Sequence, residues 1–468
     1  MENGFTEEQN NFVFSKTKKS IILSATAGSG KTHCSIHRMK ELINRGVNPK
    51  KIIFFSFTNA AVEELKKRVG NNDIRITTIH SFCFWILDKM GKKKDIADFN
   101  AFIDWYEKYH KPKEESSEKE KIDFEKFISN LQDDASFLES SISTYKLQKS
   151  DGIEIKIPEY FDDYSEFLEI TGKRDFSDIL IDVRNYFKED KWLKMFKNKY
   201  DYIFIDEYQD TSLIQMEILL KLNAKYYYLV GDSNQSLYNY AGSSCESIEN
   251  LLKQRRNVEI MTLSVNFRSG INIVENSNKY STITAIPFHQ YEGKIYENFI
   301  DYNKLNDLIC QEEEVVTLCR TNNIVKLVEV NLLKRKIPIN YLNYIKPKDL
   351  IDIKQNNISK LLQKKIDYVI EMFGGKVENL IEFIEKNRDK KSFITTIHKS
   401  KGKEFDTCVI INSLSEDLLN KNEIDLPEDK KEFYSFFPDM ENYEEEKNVH
   451  YVAVSRAKKN IYYMLIQR

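Results

Sequence analysis

Two short stretches of the 468-residue chain carry residue types that suit phosphate chemistry, and the first is residues 21–32, IILSATAGSGKT. It reads as an apolar run, a loop of small residues and then Lys-Thr at the start of a helical pattern. Small residues allow backbone amides to surround phosphate oxygens, and the N-terminus of the next helix adds a favourable dipole. Lys31 would contribute charge to the β- and γ-phosphates, and the Thr32 hydroxyl would bind Mg²⁺. The other candidate nucleotide-binding residues of this stretch are Ala25 (where the P-loop pattern usually has glycine), Thr26, Ala27, Gly28, Ser29 and Gly30.

The second stretch is residues 202–210, YIFIDEYQD, in which an apolar run ends in two adjacent carboxylates. Asp206, at the end of the predicted strand, is placed to hold Mg²⁺ through water, and Glu207 is placed to polarise an attacking water as a general base. A chance glycine-rich turn and a solvated acidic turn would explain the two stretches separately. Because both occur in one chain, the sequence predicts hydrolysis of a nucleoside triphosphate with Mg²⁺ as cofactor.

Short apolar runs supply the elements that would position these side chains. The first group is 20–24, 51–57, 202–206, 226–231 and 257–263, and the second group is 314–319, 393–397, 407–412 and 461–466. Runs of this length separated by helical patterns are typical of a parallel sheet with helices on both faces. Since the set occurs twice, we predict an α/β fold with two parallel-sheet cores flanked by helices. Residues 91–170 and 341–392 are helix-patterned, and we interpret them as insertions.

The composition excludes several classes of protein and leaves a globular one. The 70 basic and 73 acidic residues give a net charge of −3, so there is no overall basic excess of the kind that favours nucleic-acid binding. The six cysteines include no C-x-x-C pair, which argues against a zinc ribbon or a four-cysteine iron–sulfur site. No apolar run approaches the roughly 20 residues of a membrane span, and the polar N-terminus is unlike a signal peptide. We therefore expect a cytoplasmic protein with no membrane partner.

Further motifs occur in an order that resembles the UvrD/Rep-like branch of superfamily 1 DNA helicases, from Phe5 to Ile461. The motifs that carry the resemblance are FTEEQ, ATAGSGKT, FIDEYQD, GDSNQSLYNYAG, LSVNFRS, TTIHKSKGKEFD and YVAVSRA. The resemblance implies that ATP is the nucleotide and that the two cores are RecA-like P-loop NTPase cores with helical insertions. The implied domains are core 1A (1–90 and 171–262), helical insertion 1B (91–170), core 2A (263–340 and 393–468) and a reduced 2B-like insertion (341–392).

The resemblance also implies nucleotide-binding roles that the residue types alone do not. Gln9 would read the adenine base, although Thr6 and Gln9 also form the pattern of a capping box for the first helix. Gln235 and Arg268 would reach the γ-phosphate, and Arg456 would be an arginine finger that stabilises charge in the transition state. The candidates that would surround the base, the ribose and the phosphates are Phe267, His33 (in place of the usual arginine), Gly402 and Glu404.

The candidate DNA-binding residues come from the same resemblance. They are Phe57, Thr58, Asn59, Thr78, His80, Tyr238, Tyr240, His398 and Lys399. Of these, Tyr238 and Tyr240 would stack on bases, which is worth about 1–3 kcal/mol per base. Tyr240-Ala241 stands where relatives usually have Trp-Arg, so we expect a weaker grip on bases or a weaker coupling of hydrolysis to movement.

We therefore expect an ATP-dependent DNA helicase or translocase that moves 3′ to 5′ on single-stranded or tailed DNA. The alternative is a DNA-end-sensing ATPase subunit that licenses a partner nuclease without unwinding, and RNA is a third, weaker option as substrate. Residues 341–392 leave room for only a small insertion, and the chain ends 12 residues after Arg456. We expect from this a compact motor that works with a nuclease or with a repair or defence protein. Helicase subunits of antiviral systems such as Gabija and phage-encoded helicases are motors of this kind.

Overall fold

The computed structural model describes residues 4–133, 135–237, 245–341, 367, 369–414 and 443–467, and it divides into two compact units. The first unit comprises residues 1–25 and 31–263, and the second comprises residues 26–30 and 264–468. Each unit is built around a parallel sheet that carries helices, so the predicted α/β fold with two parallel-sheet cores is confirmed.

The first unit contains a six-stranded sheet. Its strands are β1 Ser20–Ala25, β2 Ile52–Phe55, β3 Arg75–Thr77, β4 Tyr202–Asp206, β5 Tyr226–Gly231 and β6 Val258–Leu263. They lie in the order β3-β2-β4-β5-β1-β6, and every neighbouring pair is parallel. All five predicted runs of the first group are strands of this sheet. The additional strand, β3, has only three residues and lies at an edge.

Apolar layers cover both faces of this sheet. Ile22, Ile53 and Ile203 belong to one layer, whereas Ile21 and Phe54 belong to the other. Successive residues of a strand point to opposite faces, so a strand buried on both faces must be apolar throughout. The described helices of this unit are α1 Glu7–Val13, α2 Lys31–Asn44, α3 Asn59–Val69, α4 Ile79–Lys89, α5 Phe99–His110, α6 Glu118–Asp133, α7 Ala135–Ser150, α8 Phe161–Thr171, α9 Phe176–Tyr186, α10 Asp190–Leu193, α11 Leu213–Lys221 and α12 Cys245–Arg255.

Helices α5 to α8 form a cluster with an aromatic core of its own. Phe102 lies in it with its ring centroid 5.0 Å from Phe99, 5.4 Å from Tyr164 and 5.9 Å from Phe167. All four side chains are buried. The helical pattern predicted for residues 91–170 is thus present in the structure.

The second unit contains a five-stranded sheet and a short two-stranded one. The strands are β7 Val265–Asn266, β8 Ile286–Pro287, β9 Lys294–Ile300, β10 Val315–Cys319, β11 Phe393–Thr396, β12 Phe405–Leu414 and β13 Ala457–Gln467. The larger sheet has the order β11-β10-β12-β13-β9 and is parallel, and β7 pairs with β8. All four predicted runs of the second group are strands of the larger sheet.

The described helices of the second unit are α13 Ile271–Asn278, α14 Tyr302–Gln311, α15 Asn322–Lys334, α16 Val377–Lys386 and α17 Tyr443–Val454. Of the predicted insertion 341–392, the structure describes 341, 367 and 369–392, which include α16. Among the described residues of either unit, no helix combines the length and the apolar character that a membrane crossing requires.

Candidate nucleotide site and candidate nucleic-acid contacts

The lysine and threonine of the first motif and the two carboxylates of the second lie together at one edge of the first sheet. Lys31 Nζ is 3.5 Å from Glu207 Oε2, and the Thr32 hydroxyl donates a hydrogen bond of 3.0 Å to Asp206 Oδ2. This follows from the sheet, since α2 begins after β1, Asp206 ends β4, and β5 lies between β1 and β4. The carboxyl ends of parallel strands meet at the same edge, where α/β proteins bind ligands.

Asp206 is a buried carboxylate whose hydrogen bonds are incomplete among the described residues. Its side chain is buried, and burial raises the pKa of its carboxyl, as does the neighbouring charge of Glu207, while Lys31 and the Thr32 hydroxyl act in the opposite direction. Its Oδ1 atom is buried and has no hydrogen-bond partner among the described residues. An orphaned carboxylate oxygen beside a threonine hydroxyl is a donor set that fits Mg²⁺, because this ion binds oxygen ligands.

Gln235 lies in the turn that follows β5. Its Nε2 donates to Asp232 Oδ2 at 2.8 Å, and the backbone and side-chain amides of Asn234 donate to Asp232 Oδ1 at 3.1 and 3.2 Å. All three side chains are buried. Asp232 therefore holds the side-chain amide of Gln235, the group predicted to contact the γ-phosphate. The sequence did not single out this aspartate.

A second unpredicted residue, Gln209, is fully buried between the turns after β4 and β5. Its Nε2 donates to Glu207 Oε2, and its Oε1 accepts the backbone N–H of Asp232 at 3.1 Å. The sequence offered one signal for it: a glutamine within the YIFIDEYQD stretch, three residues after the predicted Mg²⁺ ligand.

Gln9 takes part in the capping box that the sequence left open as an alternative. The Thr6 N–H donates to Gln9 Oε1 at 3.1 Å, and the Gln9 N–H donates to Thr6 Oγ1 at 3.3 Å. His33 lies in an aromatic cluster, with ring centroids 5.6 Å from Phe5 and 4.4 Å from His37. Burial, the neighbouring imidazole and nearby cationic side chains lower the pKa of His33, so its ring is predominantly neutral at pH 7.

Residues 26–30, the phosphate loop, belong to the second unit, and their backbone bonds to other residues of that unit. The Phe267 N–H donates to the Gly28 carbonyl at 2.9 Å, and Asn266 Nδ2 donates to the Ala27 carbonyl at 2.9 Å. The Ala27 N–H donates to the Tyr451 hydroxyl at 3.2 Å. Gly28 has φ +72° and a Cβ there would lie 2.8 Å from Arg268 Cβ, so this position requires glycine.

The rest of the loop is also ordered by local bonds. Gly30 has φ +81°, and Ser29 donates both its N–H and its hydroxyl to the Thr26 carbonyl, at 3.3 and 2.8 Å. The Thr26 hydroxyl donates to the Ser264 carbonyl at 3.4 Å, and Ala25 is the buried last residue of β1. Neither Asn266 nor Tyr451 was predicted as a site residue, although both lie in motifs of the resemblance.

The predicted phosphate-contacting arginines of the second unit both have partners within that unit. Arg268 Nε donates to Glu404 Oε2 at 2.9 Å, and its Nη1 donates to the Ser455 carbonyl at 2.7 Å. Burial opposes ionisation of Glu404, but the hydrogen bonds and charges of Arg268 and Lys458 outweigh burial and lower its pKa. The structure thus brings Arg268 and Glu404 together, as an ion pair.

Arg456 is buried, and its guanidinium donates to the carbonyls of Val452 and Lys403 at 3.0 and 3.2 Å and to Ser455 Oγ at 2.8 Å. Gly402 has φ +79°, and a Cβ there would point into open space.

Phe267 packs on a second aromatic residue, Phe288, with ring centroids 4.7 Å apart. His289 Nε2 lies 2.8 Å from the Phe267 carbonyl. Phe288 is 41% exposed, so the pair presents an apolar surface to its surroundings.

The first group of predicted DNA contacts lies at the carboxyl end of β2. Phe57, Thr58 and Asn59 are all exposed, and Phe57 is 47% exposed. Thr58 caps α3, since its hydroxyl accepts the Ala61 N–H at 3.2 Å. A large apolar ring left exposed in a capped, well-defined turn is a suitable platform for a base.

The two histidines predicted to contact DNA, His80 and His398, are uncharged at neutral pH. Thr78 caps α4 through the Ser81 N–H at 3.1 Å, and His80 lies beside Phe176, with ring centroids 5.7 Å apart. Burial lowers the pKa of His80 to about 4, and burial with the charges of Arg320 and Lys401 lowers the pKa of His398 to about 4. At neutral pH either imidazole can offer DNA a hydrogen bond but no charge.

Of the remaining predicted DNA contacts, the structure describes Lys399. Lys399 is exposed, and its Nζ lies 3.3 Å from Asn322 Oδ1. Tyr238 and Tyr240 lie outside the described residues.

Two family models match the chain. One, described as the UvrD/REP helicase N-terminal domain, matches residues 5–256, and the other, the UvrD-like helicase C-terminal domain, matches residues 141–468. The chain belongs to the UvrD/Rep helicase family. The two matches include every candidate site residue, and they confirm the resemblance to UvrD/Rep-like helicases.

Individual relatives carry helicase names. The chain is 27% identical over 372 residues to "Probable DNA helicase II homolog" of Mycoplasma capricolum, covering 70% of this chain and 50% of that protein. It is 26% identical over 373 residues to the ATP-dependent DNA helicase Rep of Buchnera aphidicola, covering 72% and 55%. It is also 26% identical over 373 residues to the ATP-dependent DNA helicase PcrA of Bacillus subtilis, covering 71% and 50%. The chain therefore spans about half the length of the curated relatives it matches.

Proposed function

We propose that the protein is a DNA-dependent ATPase that uses hydrolysis to move along single-stranded DNA as a helicase or translocase. The observation that carries this proposal is the group at the carboxyl edge of the first sheet, where Lys31 faces Glu207 and Thr32 bonds to Asp206. Two carboxylates, a lysine and a hydroxyl at the start of a helix are the groups that phosphoryl transfer to water requires. Membership of the UvrD/Rep family and the names of the relatives support ATP and DNA as ligands.

Each residue of the group has a separate task in the proposed reaction. Lys31 binds the β- and γ-phosphate oxygens, and Glu207 accepts a proton from the attacking water. Thr32 and Asp206 would hold Mg²⁺, which neutralises charge on the phosphates when bound. Gln235 orients the water or senses the γ-phosphate, since its amide is already fixed by Asp232.

We propose in addition that Arg268 and Arg456 stabilise charge on the same triphosphate. Arg456 donates to two backbone carbonyls in the structure, and we propose that it exchanges one of these bonds for a bond to the phosphate. The exchange would make the position of α17 sensitive to the nucleotide. A ligand that binds two arrangements of a protein unequally shifts the balance between them, which is the requirement for a motor.

The polarity of movement rests on the resemblance, which implies 3′ to 5′. On the DNA side, the exposed ring of Phe57 and the polar groups of Thr58, Asn59 and Lys399 are available for stacking and for backbone contacts.

Strand displacement on tailed duplexes tests the helicase proposal. We expect displacement of a labelled strand from a 3′-tailed duplex with ATP and Mg²⁺, little from a 5′-tailed duplex, and none with Lys31→Ala. Displacement from the 5′-tailed duplex alone would reverse the polarity. Equal displacement by Lys31→Ala would show that the separation does not depend on this nucleotide site. An RNA-tailed substrate, run in parallel, decides whether DNA is preferred.

A second candidate function is a DNA-end-sensing ATPase that licenses a partner nuclease or another repair or defence protein. Two features of the sequence favour it: Tyr240-Ala241 in place of Trp-Arg, and the small size of the 341–392 insertion. This candidate predicts robust DNA-stimulated ATP hydrolysis with no displacement on either tailed duplex. Displacement by the isolated chain would exclude it.

A further inference from the structure

Gln209 occupies a position that links the two strand-end turns of the nucleotide site. It lies in the turn 208–210 after β4, and its side chain has no exposed surface. Its amide donates to the Glu207 carboxylate and accepts the Asp232 N–H at 3.1 Å. The orientation of the amide is forced, because a backbone N–H needs an acceptor and a carboxylate needs a donor.

Glu207 is held in an unusual backbone conformation. Its φ is +53° and its ψ is +46°, which is the left-handed region that residues with a side chain seldom occupy. Such a conformation persists where surrounding contacts impose it, and it is concentrated at functional sites. The contacts on the carboxylate include the Gln209 amide and Lys31 Nζ at 3.5 Å, both on Oε2. Together they define the direction in which Glu207 presents its carboxylate.

The opposite turn is shaped to admit the Gln209 side chain. A Cβ on Gly231 would lie 2.2 Å from Gln209 Oε1 and 2.6 Å from Tyr208 Cδ1, so only glycine fits. The next residue, Asp232, accepts the Gln235 side-chain amide at 2.8 Å. A continuous series of hydrogen bonds therefore runs from Glu207 through Gln209 and Asp232 to Gln235.

We propose that Gln209 is a positioning residue for ATP hydrolysis, which aligns the Glu207 carboxylate and the Asp232–Gln235 turn with one another. This proposal rests on the proposed function, in which Glu207 takes the proton from water and Gln235 contacts the γ-phosphate. A positioning residue of this kind affects turnover and leaves ATP binding intact. The reason is that the Gln209 amide bonds to Glu207 and Asp232, and not to Lys31 or Thr32, which would bind the phosphates and Mg²⁺.

The test begins with Gln209→Glu, which keeps the size of the side chain and the acceptor for the Asp232 N–H but turns a carboxylate toward Glu207. We expect kcat to fall roughly 10- to 100-fold, with the Kd of a fluorescent ATP analogue unchanged. In a protein that already carries Glu207→Gln, adding Gln209→Glu should lower kcat hardly any further, because the effects of substitutions in residues that act as a unit are not additive. Full additivity of the two effects, or a parental kcat in Gln209→Glu, would overturn the proposal.

A swap variant supplies a readout that does not depend on activity. We expect Gln209→Glu to lower Tm, because two carboxylates then face each other. Glu207→Gln combined with Gln209→Glu restores an amide facing a carboxylate, so Tm should return while kcat stays at the residual value of Glu207→Gln. A swap that leaves Tm at the level of Gln209→Glu would contradict the contact itself. Hydrolysis by the parent protein must be measured first: its absence would refute the proposed function, whereas its presence with unaffected Gln209→Glu would refute this inference alone.

Discussion

At the scale of single residues, the candidate site contains charges that are unfavourable without a ligand. Asp206 is buried beside Glu207, and one of its oxygens has no hydrogen-bond partner among the described residues. A buried carboxylate without a full set of partners costs free energy, which a bound cation offsets. The sequence allowed this group to be predicted because its residues lie in contiguous motifs. It did not reveal Gln209, because the environment of that side chain depends on the pairing of β4 with β5.

Replacement of Asp206 should therefore stabilise the Mg²⁺-free protein. The raised pKa of Asp206 means that the folded state keeps its proton to higher pH than the unfolded chain, so stability falls as pH rises from about 4 through the raised pKa. Asp206→Asn removes this loss and should gain on the order of 1 kcal/mol at pH 8, with a smaller gain at pH 5. Thermal unfolding at both pH values, without Mg²⁺, measures the difference.

The exposed Asp73 offers a matched control, since Asp73→Asn removes a carboxylate that the fold does not bury. It should leave Tm unchanged at both pH values. A gain for Asp206→Asn that is equal at pH 5 and pH 8 would contradict the assignment of the effect to ionisation of this carboxyl.

At the scale of elements, the turns after β4 and β5 hold the site. The first places Glu207 in a left-handed backbone conformation, and the second requires glycine at position 231. The central strands could be predicted because they are buried on both faces and so are apolar throughout. The edge strand β9 could not, because its sequence KIYENFI interrupts the apolar pattern with polar residues. The need for Gly231 was also hidden, since it arises from a side chain 22 positions earlier in the chain.

Two glycine substitutions separate crowding from backbone strain. Gly231→Ala places a Cβ 2.2 Å from Gln209 Oε1, so it should destabilise the fold by about 1–3 kcal/mol and reduce ATP hydrolysis. Gly70 caps α3 with φ +65° in open space, so Gly70→Ala should cost about 1 kcal/mol with no effect on kcat. Denaturant unfolding and steady-state ATPase rates measure both. A Gly231→Ala protein with parental stability and kcat would show that the two turns are not packed as described.

At the scale of the whole molecule, two parallel-sheet units could be predicted because the set of apolar runs occurs twice. That the phosphate loop belongs to the second unit could not be predicted. Sequence places it between β1 and α2, yet its Thr26 hydroxyl bonds to Ser264 and its Ala27 N–H bonds to Tyr451, which lie 238 and 424 positions away from their partners. Hydrogen bonds across such separations come from the tertiary fold, and no local pattern encodes them.

The proposed role of the second unit in hydrolysis is tested with Arg456. Arg456→Ala should lower kcat by roughly 10³-fold or more, while the Kd for ATP changes little, because Lys31 and Thr32 remain. Loss of the buried guanidinium also removes a donor from the Lys403 carbonyl and one from the Val452 carbonyl, which keeps the Ser455 hydroxyl, at a cost of about 1–3 kcal/mol. Arg456→Lys, which keeps a donor for the carbonyls, separates the two effects. Parental turnover in Arg456→Ala would show that this arginine takes no part in the reaction.

The central claim, that this chain couples ATP hydrolysis to single-stranded DNA through the site at the edge of the first sheet, is tested most directly by one ATPase measurement. The rate of phosphate release is compared with and without single-stranded DNA, for the parent, for Lys31→Ala and for Lys191→Ala, which alters an exposed lysine of α10. We predict strong stimulation by DNA in the parent and in Lys191→Ala, and no hydrolysis above background in Lys31→Ala. A parent rate that DNA leaves unchanged, or hydrolysis that survives in Lys31→Ala, would contradict the account.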